Sequence, residues 1–208
     1  SGLSQLWELS NKPVSEYDPF DEKASELLCR GEVLGLTQSE SRTMRKTILA
    51  LQPKSVYDVA LALALIRPAA ADGGRKAAYL RNNNKRLMIT DEDAIEYISD
   101  SIGCSLDYAD HVRRGFSKQI PATMDRFIKR LKKVRGKDDR THILNELKHS
   151  PKYSYCRGHA LSYGQLVWAL AWWKSREPEK FWEATLKHCH SSYRPWVHKR
   201  QAILNGIP

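Results

Sequence analysis

Between Arg157 and Lys174 the chain carries no Asp, Glu, Lys or Arg. Leu161, Trp168 and Trp172 fall at helical spacing on one side of this run, and Leu166, Leu170 and Trp173 fill another. A helix apolar nearly all round is one wrapped by protein. The run is too short for a bilayer span, which needs about 20 apolar residues. It therefore predicts a buried rod, and the rest of the chain has to supply its wrapping. At the mouth of the rod sit Arg157 and His159, two residues apart. A helix N-terminus has unpaired N–H groups and a partial positive charge, so such a pair there would converge on a phosphate. The same residue types also serve as ordinary caps and surface charges.

The other periodic segments read as helices as well. Asp21 is placed to cap Glu22 to Arg30, with a stop at Gly31. A second helix starts at Ser39 or Glu40 and ends near Pro53, with Glu40 as a helix-start acid, and Ser55 caps a third over Val56 to Ile66. Thr90-Asp-Glu-Asp93 resembles a capping box for a helix to Ile102, closed by Gly103. Ser105 caps a short helix carrying Arg113 and Arg114, and Pro121 suits the first turn of one over Ala122 to Arg135. Further helices are expected over Asp138 to Lys148, Gly158 to Arg176, Pro178 to His188 and Pro195 to Leu204. No stretch alternates with the period of a strand. The fold class is all-α, a multi-helix module. Residues 1–20, polar and broken by Pro13 and Pro19, read as an extended lead. Residues 21–86 form an N-terminal helical part that ends in a basic loop, with Arg75, Lys76, Arg81, Lys85 and Arg86 among glycines and asparagines. Residues 87–208 form a C-terminal helical part.

A formal net charge of +10 over 208 residues, with a pI near 9.5, favours a polyanionic partner; charge also keeps a protein in solution. Lys129, Arg130, Lys132, Lys133, Arg135 and Lys137 follow amphipathically on Phe127, Ile128, Leu131 and Val134. That stripe can track a nucleic-acid backbone or stand as a solvated face. The four cysteines include no Cys-x-x-Cys pair, so neither a zinc ribbon nor a disulfide framework is indicated, and a reducing compartment is the simpler reading. No signal peptide or membrane anchor is evident, so the cytoplasm, or a viral replication compartment in a host cell, is the expected location. His188, Cys189 and His190, with His198 downstream, space poorly for one metal ion, because adjacent helical residues splay about 100° apart.

Four colinear blocks carry a family resemblance. Tyr155, Cys156, Arg157, Gly158, His159, Ala160 and Tyr163, continued by Trp173, Lys174, Pro178 and Phe181, match the pattern aromatic-x-basic-x-His-Ala-x-x-Tyr and Trp-x-Lys-x-x-x-Pro-x-x-Phe. Gly35-Leu-Thr-Gln38-Ser-Glu40-Ser-Arg-Thr-Met44-Arg45 is a second block, Leu51-Gln-Pro53 with Asp58 through Arg67-Pro68 a third, and Ala109-Asp110-His-Val-Arg113-Arg114-Gly-Phe-Ser-Lys118 a fourth. Together they resemble the fingers region and its flanks in the C-family bacterial replicative DNA polymerase, the DNA polymerase III alpha subunit. The departures are those of a divergent relative: Arg157 stands where the family has Lys, Cys156 where it has Asn, and Ala69 where a Gly follows Arg-Pro.

The resemblance implies a fingers-like module that binds incoming deoxynucleoside triphosphate and template DNA. Arg113, Arg114, Lys118, Arg157 and His159 are its implied nucleotide-phosphate contacts. Two-metal polymerisation needs clustered carboxylates. The family holds them on a palm motif, Pro-Asp-x-Asp-x-Asp, that this sequence lacks. Asp18 and Asp21, on either side of Pro19, do not substitute for it, and Asp91, Glu92 and Asp93 read first as helix caps. No cofactor is expected on this chain, Mg2+ is expected only with a palm-bearing segment or subunit elsewhere, and no catalysis is expected from the chain alone. The alternative is a non-catalytic helical nucleic-acid-binding protein derived from such fingers. A third reading, an interaction scaffold, rests on the six tryptophans, whose commoner role is core packing.

Overall fold

The computed structural model describes residues 1–67, 75–82, 88–148, 155–188, 191 and 193–207. The helices in chain order are α1 (Gly2–Leu9), α2 (Glu22–Cys29), α3 (Arg42–Leu51), α4 (Val56–Leu65), α5 (Arg75–Asn82), α6 (Asp91–Ile102), α7 (Leu106–Ser117), α8 (Pro121–Val134), α9 (Lys137–Lys148), α10 (Arg157–Arg176), α11 (Pro178–His188) and α12 (Pro195–Leu204), with a single 3-10 turn at Val14–Glu16. Among the described residues there is no strand, only an isolated parallel bridge between Thr90 and Tyr155, so the fold is all-α. No helix among them is long and apolar enough to cross a membrane.

The chain forms two compact units, Ser1–Ile66 with Gly158–Pro208, and Arg67–Arg157. The breaks thus fall at Arg67 and after Arg157 rather than at residue 87, and the first unit is built from both ends of the chain.

Local sequence accounts for most helix ends. The Asp21, Ser41, Ser55 and Ser105 side chains accept backbone N–H bonds three residues on, and Thr90 and Asp93 cap each other's backbone reciprocally. Gly103 closes α6 at φ 61, a left-handed position that glycine occupies without strain.

Three expectations are corrected. Residues 1–20 are not an extended lead: Gly2–Leu9 is a helix, capped by Ser1 and anchored by buried Gln5 and Leu6. The Gln5 amide donates to Gly35 O at 3.2 Å and Thr185 Oγ1 at 2.6 Å, long-range partners that the local composition does not reveal. The basic stretch after residue 74 is not a loop over Arg75–Asn82, which is helical, with Tyr79 buried; residues 68–74 and 83–87 lie outside the described residues. Glu40 does not open α3, because its carboxylate accepts instead from Gly35 N at 2.8 Å and pairs with His198 Nε2 at 2.5 Å, which delays the helix to Arg42.

In the first unit α10 is the rod that the sequence requires. Leu166 through Ala171 are consecutively buried, and Trp168 and Trp182 are about 1% exposed. A Cβ on Gly164 would stand 3.1 Å from Ala60 N and 3.1 Å from its Cβ, so glycine permits the close approach of α10 to α4. Trp168 Nε1 donates to Asp18 O at 2.8 Å and Trp173 Nε1 to the Tyr17 hydroxyl at 2.8 Å, while Arg176 forks onto Asp21 at 3.0 and 2.6 Å. Polar edges of an apolar rod thus fix the segment leading into α2. The second unit has its own core, in which Ile98, Val112, Phe127 and Leu131 of α6, α7 and α8 are fully buried with Ile143 and Leu147 of α9.

One charge lies inside the first unit. Lys174 is 7% exposed, donates to Glu32 O at 2.8 Å and Leu34 O at 2.7 Å, and lies over the rings of Trp182 and Phe181. Burial pushes its ammonium from the ordinary 10.5 down to about 8, against the opposing pull of Glu32 and Glu40. Between those two values the unfolded chain holds a proton that the folded chain has shed, so Lys174 makes stability rise with pH there. Lys174→Met would take the donor from two partly buried carbonyls, a loss of at most about 1–3 kcal/mol each. We expect it to be less stable than the parent at pH 7 in urea denaturation, with the gap widening between pH 8 and 10; a gap independent of pH would contradict this account.

Candidate functional site

The first turn of α6 organises the second unit. Asp93 Oδ2 accepts from Ile89 N at 3.0 Å and Thr90 N at 2.7 Å, while Thr90 Oγ1 accepts from Asp93 N at 3.3 Å. The other Asp93 oxygen, Oδ1, accepts from Arg157 Nη2 at 2.8 Å. Arg157 also reaches Glu96 Oε1 at 3.1 Å, and its backbone N–H, the first of α10, donates to Glu92 at 2.8 Å. Two residues before Asp93, Asp91 Oδ1 accepts from Arg113 Nη1 at 3.0 Å. Arg113 sets Nε and Nη2 on Asp110 Oδ1 at 2.9 and 2.8 Å, and Arg114 reaches Asp110 Oδ2 at 2.7 Å.

Arg113 and Arg157, taken from separate sequence blocks, thus converge on one turn, Asp91–Asp93. The adjacent arginines divide their roles as helical geometry requires: Arg113 is 17% exposed between two aspartates, and Arg114 is 64% exposed. Arg67, from a third block, lies over the Tyr155 ring at 4.2 Å, with its Nε buried and without a hydrogen-bond partner among the described residues. Tyr155 O in turn accepts from Asp91 N at 3.4 Å.

The electrostatics follow from these contacts. Burial would raise the Asp93 carboxyl, but the Thr90 and Ile89 N–H groups and the Arg157 guanidinium hold it below the usual range. Asp110 is likewise held down by Arg113 and Arg114 against its burial. Glu96 and Asp93 raise Arg157 further above its ordinary value.

Two further phosphate contacts are implied by the resemblance. Lys118 is exposed at the C-cap of α7. His159 is exposed in the first turn of α10, edge-on to the Tyr163 ring at 4.6 Å, and belongs to the first unit.

Of the basic stripe, Lys129, Lys132, Lys133 and Lys137 are exposed along α8 and the start of α9. Arg130 lies over the Tyr108 ring at 4.6 Å. Arg135 departs from the expected backbone-tracking role: it donates to Ser101 O at 2.9 Å and Asp100 O at 3.0 Å, terminal carbonyls of α6 that have no intrahelical donor. Arg75 and Arg81 stand on α5, Lys76 there is half-buried and lowered by that burial, and Lys85 and Arg86 lie outside the described residues.

Among the described residues no group of three His, Cys, Asp or Glu side chains could hold a metal ion. The carboxylates of the α6 turn are committed to arginines and backbone N–H groups, a donor set unlike a two-metal site. His198 is taken by Glu40 and His188 by Glu8, while Cys189 and His190 lie outside the described residues.

The sequence reading missed a cavity of about 720 Å3 in the first unit, whose walls include Gln5, Thr37, Gln38, Glu40, Tyr163 and Gln165. Its one visible trace is the Gly35 to Glu40 block, where Gly35 has φ 84 and Gln38 φ 62. A Cβ on Gly35 would stand 2.9 Å from the Phe181 ring, so two of the sequence blocks meet at that glycine.

Residues 8–102 match the finger domain of the bacterial DNA polymerase III alpha subunit. With the motif blocks, this match makes the chain similar to the fingers region of the C-family polymerases. Error-prone DNA polymerases are among the curated proteins it is similar to. That of Corynebacterium efficiens is 27% identical over 88% of this chain and 19% of its own length. That of Mycobacterium tuberculosis is 29% identical over 84% and 18%, and that of Bordetella parapertussis 26% over 83% and 19%. The chain spans about a fifth of the length of these relatives.

The α6 turn yields a stability prediction. A carboxyl whose folded pKa is depressed contributes stability that is present above its unfolded value and is lost as pH falls through the folded value. Asp93→Asn weakens both the cap and the Arg157 pair, and we expect a loss of about 1–2 kcal/mol at pH 7. The deficit should shrink as pH is lowered from 5 to 2, measured by urea denaturation at each pH; a deficit unchanged by acid would show that Asp93 is not held ionised in the fold.

Proposed function

We propose that this chain is a fingers-like element of a C-family DNA-directed DNA polymerase, binding the triphosphate of an incoming deoxynucleotide through Arg113, Arg114, Lys118 and Arg157. His159, two residues beyond Arg157 in the chain, is proposed as a further phosphate contact. The observation that carries this reading is the convergence of Arg113 and Arg157 on one helix turn. Independent blocks of a polymerase-like sequence then supply cations to one place. Phosphoryl transfer is chiefly positioning and charge stabilisation, so cations aimed at the triphosphate are a sufficient contribution for such an element. A guanidinium in place of the family's Lys makes the contact at Arg157 a planar fork rather than a point charge. Nucleotidyl transfer itself, with the Mg2+ that neutralises the phosphates, is assigned to a palm-bearing segment or partner working in the cytoplasm.

Template DNA is assigned to the exposed lysines of α8 and α9. If they alone acted, the chain would be the non-catalytic nucleic-acid-binding protein of the alternative reading, and triphosphate would leave DNA binding unaffected.

Two measurements test these assignments. In calorimetric titration with deoxynucleoside triphosphate, Arg157→Ala and Arg114→Ala should each weaken binding by about tenfold, the scale of one charge-assisted hydrogen bond. Affinities equal to the parent's in both variants would remove the nucleotide site. In DNA titrations between 50 and 200 mM salt, Lys132→Ala with Lys133→Ala should flatten the logarithmic salt slope by about one for each phosphate that is no longer neutralised. An unchanged slope would place the DNA elsewhere.

A further inference from the structure

The α6 turn does more than cap a helix. Its acids stand where the phosphates of a ligand would stand: Asp93 and Glu96 take the Arg157 guanidinium, and Asp91 takes the outer nitrogen of Arg113. Carboxylates and phosphates engage a guanidinium with the same fork geometry at similar distances. From this we infer that the acidic start of α6 is a built-in competitor that holds the candidate phosphate-binding arginines, and that Arg157 is the one it releases to a polyphosphate. This rests on the nucleotide reading above and adds its regulation.

The two arginines differ in how they are held. Arg113 is 17% exposed and shared between Asp91 and Asp110, so its release would break contacts with two partly covered carboxylates at once. Arg157 is 52% exposed, and its partner Glu96 is 57% exposed. Ion pairs so open to water are weak and exchangeable. When Arg157 leaves, Asp93 keeps the Ile89 and Thr90 N–H groups and the positive end of the α6 dipole, so no buried charge is left uncompensated. The cap therefore stays formed while the arginine swings away. A ligand with several adjacent negative charges outcompetes two carboxylates for one guanidinium, whereas a single carboxylate or a monoanion does not.

Glu96→Gln is the informative variant. It keeps the side-chain shape, takes no part in the cap, and removes one competing charge from Arg157. The full chain is titrated calorimetrically with inorganic tripolyphosphate, in the parent, in Glu96→Gln, in Arg157→Ala and in the double variant. The expected result is binding about three- to fivefold tighter in Glu96→Gln, the scale of one exposed ion pair. That tightening should disappear when Arg157→Ala is added. Tightening that survives without Arg157 would be a general charge effect and would overturn the competitor assignment. Binding that Arg157→Ala weakens but Glu96→Gln leaves unchanged would overturn the competitor and spare the phosphate site. Absence of binding in both the parent and Glu96→Gln would overturn the two together.

Discussion

Asp93 uses one carboxylate oxygen to receive the backbone of its own helix start and the other to receive Arg157. The candidate site depends on that division. A cap fixes the side chain within the geometry of the turn, and a fixed carboxylate fixes the arginine that pairs with it. Asp91, on the same turn, receives Arg113 at 3.0 Å. The network is polar and half-exposed, which makes it weak as a source of stability but well suited to exchange one anion for another.

The first unit places its charges by the opposite rule. Lys174 is buried, and it is tolerable there because two carbonyls of the segment before Gly35 accept its hydrogen bonds and two aromatic rings lie beneath it. Glu40 is similarly enclosed, with Gly35 N and His198 as partners. Together with the Gln5 amide, these contacts hold the Gly35 to Glu40 segment in a conformation that includes a left-handed Gln38. The segment also forms one wall of the unit's cavity.

Local chemistry made most helices legible. The caps at Asp21, Ser55, Thr90 and Ser105, the proline at the first position of α8 and the glycine after α6 each act over a few residues, so cause and effect lie together in the sequence. The errors share the reverse property. α1 is secured by Gln5 bonding across long sequence distances, α5 buries Tyr79 although its composition is basic, and Glu40 leaves its helix for a histidine far along the chain. Arg135, legible only as part of a basic stripe, is spent on the carbonyl end of α6. The lysines beside it on α8 stand exposed.

The sequence by itself determined that this chain is helical, that α10 must be enclosed, and that its motif blocks resemble polymerase fingers, because periodicity, capping and motif spacing are encoded over short stretches. Only the tertiary structure decided which acid meets which arginine. Asp91 lies twenty-two positions from Arg113, and Asp93 sixty-four from Arg157. Charge pairing depends on distance in space, and packing of the hydrophobic faces sets that distance before any charge can choose its partner.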